Sequence, residues 1–219
     1  MQLNLTPLEA RILGALVEKE LSTPEYYPLT LNSLVAACNQ KNNRDPVLQL
    51  ATSEIEAALA TLQYDKQLVG TFSGVGSRVL KYTHRLLETL AVDTPELAVL
   101  CELLVRGPQT PGELRGRTAR LHTFASPAEV RRVLDALAAR RPDPYVVELP
   151  RAPGSKENRF AHALGDAPPA TAPPPHKTAP SPMVAVVATA DNPRIRELEQ
   201  RIADLEAQIA ALRKDGPAR

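Results

Sequence analysis

The sequence predicts a mainly α fold with small β-hairpins, built twice along the chain and followed by a coiled-coil helix. Three observations predict it. The first is a nine-residue pattern: Gly76, Ser77, Arg78, Lys81, Tyr82 and His84 return 78 residues later as Gly154, Ser155, Lys156, Arg159, Phe160 and His162. The second is that apolar stripes return in the same order. Glu54, Ile55, Ala58, Leu59 and Leu62 are answered by Glu129, Val130, Val133, Leu134 and Leu137, and Thr6, Pro7, Ala10, Leu16 and Val17 by Thr94, Pro95, Ala98, Leu104 and Val105. The offset drifts from 88 to 75 to 78, as expected of one duplicated unit whose loops have changed length. The third is a heptad seam near the C-terminus.

In the first copy, Thr6, Pro7 and Glu9 form an N-terminal capping box, with proline where a missing N–H leaves nothing unsatisfied. Leu8, Ile12, Leu13, Leu16 and Val17 share one face, so helix one runs to about Glu20. A turn containing Thr23, Pro24 and Pro28 leads to helix two, residues 30–39. Ser53 and Glu56 are expected to cap helix three, whose buried stripe is Ile55, Ala58, Leu59 and Leu62. Residues 68–73, a Gly74-Val75-Gly76-Ser77 turn and residues 78–83 read as a hairpin.

The second copy follows the same plan. Helix one starts at Pro95, helix two at the Thr110, Pro111, Glu113 box, and helix three at the Ser126, Pro127, Glu129 box. Residues 145–149, a turn through Pro150, Pro153 and Gly154, and residues 157–161 supply the hairpin. Three helices and a hairpin is the order of a winged helix-turn-helix domain, in which helix three reads a groove and the hairpin is the wing. The expected layout is two tandem domains of this kind, 1–90 and 91–165, a Pro/Ala-rich linker, 166–193, and a short coiled-coil helix, 194–214.

The Tyr26-Tyr27-Pro28-Leu29 segment, the stretch from Cys38 through Asn39, Gln40, Lys41, Asn42, Asn43, Arg44, Asp45 and Pro46 to Val47, and the run from Gly107 to Arg115 resemble the YceH-like family of bacterial proteins. The likeness covers about Leu5 to Leu164. It implies tandem winged-helix domains and carries over no catalytic or binding residue.

At 219 residues the chain suits two domains of about 80 residues and a tail, each domain with a modest core. No apolar run approaches the roughly 20 residues that span a bilayer, and the N-terminus lacks a signal-peptide layout, so a cytoplasmic protein with no membrane association is expected. Cys38 and Cys101 fall in apolar helical patterns and read as core thiols. Four histidines, no Gly-rich phosphate loop, no Gly-x-Ser-x-Gly elbow and no His-Glu-x-x-His pair lead us to expect no enzyme, no cofactor and no metal. His84 and His162 end the second wing strand in both copies, which suggests a shared packing or hydrogen-bonding role.

Charge is balanced throughout. Residues 1–90 hold 8 basic and 9 acidic side chains, residues 91–166 hold 11 and 10, and residues 167–219 hold 7 and 6. Any grip on nucleic acid must therefore come from local patches. The candidates are Lys41 and Arg44 in the amide-rich run 39–46; Arg115, Arg117 and Arg120, with His122, on and after helix two of the second copy; Arg131 and Arg132 on its helix three; and the wing residues Arg78, Lys81, Lys156 and Arg159. Lysine and arginine hold phosphate, and Asn and Gln read adenine edges. Each group also has a bland reading. Residues 39–46 can be a hydrogen-bonded turn with Arg44 paired to Asp45, the arginine run a solvated face, and wing cations a guard against edge-to-edge aggregation. Helix three of the first copy carries Glu54, Glu56 and Asp65 against Lys66 alone, a poor match to a phosphate backbone.

The linker contains eight prolines. Beyond it Ile195, Leu198, Ile202, Leu205, Ile209 and Leu212 alternate spacings of three and four, with Ile at each a and Leu at each d position, the choice that favours parallel two-stranded coils. Arg194 then faces Glu199 of a partner helix, and Arg201 faces Glu206. The alternative is an amphipathic helix folded back on the domains. Two functions are expected: a homodimeric DNA-binding protein of the regulator type, favoured by the arginine cluster and basic wings, or a non-catalytic protein–protein interaction scaffold, favoured by neutral charge and the acidic helix three.

Overall fold

The computed structural model describes residues 3–73, 79–151, 154–155 and 157–165. All of them fall within one compact unit, Met1–Pro174. Arg78, Lys156, the linker and the seam residues Ile195, Leu198, Ile202, Leu205, Ile209 and Leu212 lie outside the described residues. What is described is mainly helical, with two small antiparallel sheets.

Local hydrogen bonding sets most helix starts. Helix α1, Pro7–Ser22, opens on a full capping box: the Glu9 N–H donates to Thr6 Oγ1 at 3.2 Å, and the Thr6 N–H to Glu9 Oε2 at 2.7 Å. Thr30 caps α2, Leu31–Cys38. Helix α3, Thr52–Ala60, begins one residue before the expected Ser53 cap. Ala51 holds the cap position, and its N–H is taken by Glu54 Oε2 at 2.7 Å, so Glu54 rather than Glu56 secures this end. The helix widens into a π turn, Thr61–Asp65, that keeps Leu62 buried.

A two-residue strand that the sequence did not announce, β1 (Leu29–Thr30), precedes α2. With β2 (Val69–Phe72) and β3 (Lys81–His84) it forms an antiparallel sheet in the order β1-β3-β2, with Leu29 opposite Tyr82 and Val69 opposite His84. A short helix, α4 (Leu86–Leu90), leads into the second copy.

Helix α5, Thr94–Arg106, is capped by Asp93, whose Oδ1 accepts the Glu96 N–H at 2.9 Å. Asp93 therefore matches Thr6, and Glu96 matches Glu9, which puts the first helices at an offset of 87 rather than the 88 read from Thr94 and Pro95. Helices α6 (Pro111–Thr118) and α7 (Pro127–Ala138) start at Thr110 and Ser126 as expected. Strands β4 (Val146–Glu148) and β5 (Phe160–His162) pair antiparallel. Gln109 exchanges both backbone hydrogen bonds with Phe160, at 2.9 and 2.8 Å, as Leu29 faces Tyr82 in the first copy. The second sheet thus keeps the first sheet's order, with its leading strand reduced to one residue.

The two copies meet along α1 and α5. Residues from Glu9 to Glu18 and from Glu96 to Val105 are buried, because each helix turns one face to its own copy and the other to its counterpart. Close approach depends on Gly14. The Cys101 thiol lies 3.4 Å from the Gly14 carbonyl oxygen, and a Cβ at Gly14 would come within 2.6 Å of Val105 Cγ1. One apolar cluster runs from Leu3 to Leu164 through both copies, and both cysteines are buried in it. The ends of the described fold are joined by a hydrogen bond from the Leu5 N–H to Leu164 O at 2.9 Å, and a Cβ on Gly165 would lie 2.1 Å from Leu5 O.

Candidate interaction surfaces

The amide-rich run 39–46 turns inward. The Arg44 side chain has no exposed surface: it donates to Ala37 O, Asn43 O and Gln40 Oε1 at 2.8–3.1 Å and ion-pairs with Glu18, which is equally buried. It pairs with Glu18 rather than with Asp45, and it is not placed to hold phosphate. The Asp45 N–H donates to Val105 O at 3.0 Å, Asn43 Oδ1 accepts from Arg106, and Asn39 pairs through its amide with both backbone groups of Leu50. Arg11 holds Cys38 O and Pro46 O at 3.2 and 2.7 Å. The segment is a bracket between the copies, with Lys41 left exposed.

Arg120 belongs to the same bracket. Its guanidinium ion-pairs with Glu18 and lies 3.3 Å from Glu102 Oε1, while Glu102 Oε2 lies 3.0 Å from Arg106 Nε. Glu18, Glu102 and Arg106 carried no signal in the sequence, because carboxylates on an apolar helix read as solvated. Burial pushes both carboxyls up. For Glu18 the hydrogen bond and charge of Arg44, with Arg120, outweigh it and hold the group below its usual range. For Glu102 the charges of Arg106 and Arg120 offset burial only in part, and the group stays above that range.

The remaining arginines of the second copy lie closer to the surface and are mostly paired. Arg131 meets Asp135 at 2.8 Å and Glu148 at 2.9 Å, and stacks over the Phe160 ring. Arg117 donates to Gln109 Oε1 at 2.8 Å and lies 3.7 Å from Glu113. Arg159 bridges Glu113 at 3.1 Å and Pro108 O at 2.7 Å. Arg115 donates to Phe124 O at 3.2 Å. Of Arg115, Arg117, Arg120, Arg131 and Arg132, only Arg115 and Arg132 have no carboxylate partner among the described residues.

The first copy presents a different surface. On α3 and the π turn, Glu54, Glu56 and Asp65 are exposed, while Lys66 is drawn to Glu9 at 2.8 Å. Tyr64 is 71% exposed, and in β2 and just before β3 Phe72, Val79 and Leu80 are each about half exposed. Lys81 lies on β3, opposite Thr30.

His84 and His162, which end β3 and β5, do not share a hydrogen-bonding role. His84 Nδ1 accepts the Leu86 N–H, so its Nε2 faces Glu20 Oε2, 2.5 Å away. His162 Nδ1 is buried without a hydrogen-bond partner, and burial lowers the ring's pKa below its ordinary 6.5. Among the described residues no group of three or more His, Cys, Asp or Glu side chains could hold a metal, and no helix is long and apolar enough to cross a membrane.

These surfaces and the repeated element order define a mainly helical protein with small antiparallel sheets. Residues 5–155 match the family described as "Protein of unknown function, DUF480", and the chain belongs to that family. It is 51% identical over 216 residues to a UPF0502 protein of Geotalea uraniireducens, an alignment that covers 98% of this chain and 95% of the relative. It is 50% identical over 205 residues to a UPF0502 protein of Geobacter sulfurreducens, covering 94% and 91%. A UPF0502 protein of Shewanella amazonensis is 47% identical over 212 residues, covering 95% and 97%. The YceH-like resemblance is consistent with this membership.

Proposed function

We propose that this chain is a non-catalytic protein-interaction scaffold made of two winged helix-turn-helix copies fused along α1 and α5. The strand order β1-β3-β2, repeated in reduced form by Gln109, β5 and β4, supports the winged-helix reading. One observation carries the choice of scaffold over DNA reader. Of the five arginines that would form a phosphate-binding face on the second copy, Arg117, Arg120 and Arg131 have carboxylate partners within the fold.

Within that face Arg115 and Arg132, the two arginines without a carboxylate partner among the described residues, would release few counterions and contribute only about −2 to the log–log salt slope of duplex binding. Binding of the full chain to a random duplex library at two salt concentrations tests this. Little affinity and a shallow slope are expected. Tight binding with a slope of −5 or steeper, weakened by replacing the five arginines with Ala, would establish the DNA reading instead.

We also propose that the protein works in the cytoplasm as a homodimer held by the seam Ile195, Leu198, Ile202, Leu205, Ile209 and Leu212. Burial of these six side chains, at about 1.5–3 kcal/mol each, supports that reading. Sedimentation of the full chain, and of a chain ending at Gly165, should give a dimer and a monomer. A monomeric full chain would refute it.

A further inference from the structure

The internal repeat gives a reference for each position of the fold, and one position differs in a way that implies a ligand. In the second copy, Thr110 caps α6, and Glu113 lies three residues on, completing the capping box. The Glu113 carboxylate is also the partner of Arg159, at 3.1 Å. Because Gln109 faces Phe160, the next residues of the two strands in register are Thr110 and Arg159.

In the first copy the same places are filled by Thr30, Ser33 and Lys81. Leu29 faces Tyr82, and Thr30 faces Lys81. Thr30 caps α2 by accepting the Ser33 N–H at 3.2 Å. The cation is kept, but the carboxylate is replaced by a hydroxyl. Lys81 has no ion-pair partner among the described residues. An open groove stands where the second copy has Glu113, and it is lined by Lys19, Tyr26, Thr30, Ser33 and Lys81, with Glu25 as its one carboxylate. Lys19 also has no ion-pair partner among the described residues. Tyr26 is 73% exposed and offers a flat apolar face beside the two ammonium groups.

We propose that this groove binds an acidic peptide segment of a partner protein, with a ligand carboxylate held by Lys81 and Lys19 where Glu113 stands in the second copy and an adjoining apolar side chain against Tyr26. The scaffold reading supplies the identity of the ligand as a peptide. The internal carboxylate at the matching place supplies its charge, and the exposed tyrosine its apolar neighbour. The Thr30 and Ser33 hydroxyls complete the polar wall.

The test is amide NMR of the isotope-labelled full chain, titrated with the acetylated, amidated peptide Glu-Glu-Leu-Glu-Glu, with its Gln-for-Glu counterpart, and with inorganic phosphate. Saturable shifts are expected at Lys19, Thr30, Ser33 and Lys81 with the acidic peptide and not with its neutral counterpart. Lys81→Gln should weaken binding about tenfold, the scale of one lost charge-assisted contact. Ser33→Glu, which installs the second copy's carboxylate in the first, should abolish binding while the rest of the spectrum reports an intact fold.

The proposal is overturned by an absence of saturable shifts at these residues or by binding that Ser33→Glu leaves unchanged. Phosphate bound as tightly as the peptide would also overturn it, because the site would then serve a free anion. Failure here together with weak, shallow duplex binding moves the docking site and leaves the scaffold intact. Steep duplex binding overturns the scaffold reading itself.

Discussion

Arg120, in the turn after α6, ion-pairs with Glu18 in α1, so a residue of the second copy neutralises a carboxylate of the first that has no exposed surface. Arg44 holds the same carboxylate from within the first copy. The two arginines differ in exposure, and that difference decides what each is worth. Removing Arg44 leaves Glu18 with only the part-exposed Arg120, orphans the carbonyls of Ala37 and Asn43, and should cost about 3–5 kcal/mol, the range for breaking a buried pair. Arg120 is 35% exposed and leaves Arg44 in place, so Arg120→Met should cost about 1–2 kcal/mol. Denaturant unfolding of Arg44→Met and Arg120→Met checks the order, and equal costs would contradict it.

Gly14 sets the distance between the copies. A methyl group there meets Val105 Cγ1 at 2.6 Å and Leu104 Cβ at 3.0 Å, both in a packed interface. Gly14→Ala should lower stability by about 1–3 kcal/mol despite its gain in helix propensity. A thermal midpoint at or above that of the parent protein would show that α1 and α5 can separate without loss.

Ala91 ends α4 with φ 49° and ψ 48°, a left-handed conformation that crowds its Cβ. Glycine has no such cost, although it gives up more chain entropy on folding. Ala91→Gly should stabilise the protein by about 0.5–1 kcal/mol. Calorimetry should show a raised midpoint, and a fall would show that the Cβ makes a contact of greater value.

How much of this was legible in the sequence depended on how far apart the interacting residues lie. The Thr6–Glu9 and Thr110–Glu113 boxes close over three residues, and their residue types alone announce them. Leu29 and Thr30 become a strand only because Tyr82 and Lys81 arrive beside them from some fifty residues away, which no local pattern records. The same limit governs the arginines. Spacing reveals a cation on a helix, but Arg131 is neutralised by Glu148 and Arg159 by Glu113, carboxylates carried by other elements. Arg44 looked like a surface residue among amides because its partner, Glu18, lies on an earlier helix.

His162 provides a pH test. Burial lowers its folded pKa below the ordinary 6.5, so the unfolded chain binds the proton more readily. Its contribution is fully present above pH 6.5 and is lost as the pH falls through the folded value. His162→Gln removes the titration. The difference in thermal midpoint between parent and variant should therefore shift against the parent between pH 7.5 and pH 5, and a constant difference would exclude His162 as a source of acid sensitivity.

The hydrogen bond from Leu5 to Leu164 makes the described fold a closed circuit, whose two ends lie side by side. Order along the chain is then separable from order in space. Joining the two ends through a short linker, and opening the chain at an exposed turn elsewhere, would preserve every contact between α1 and α5. A fold with an internal structural repeat can in this way be rewritten with its second repeat first.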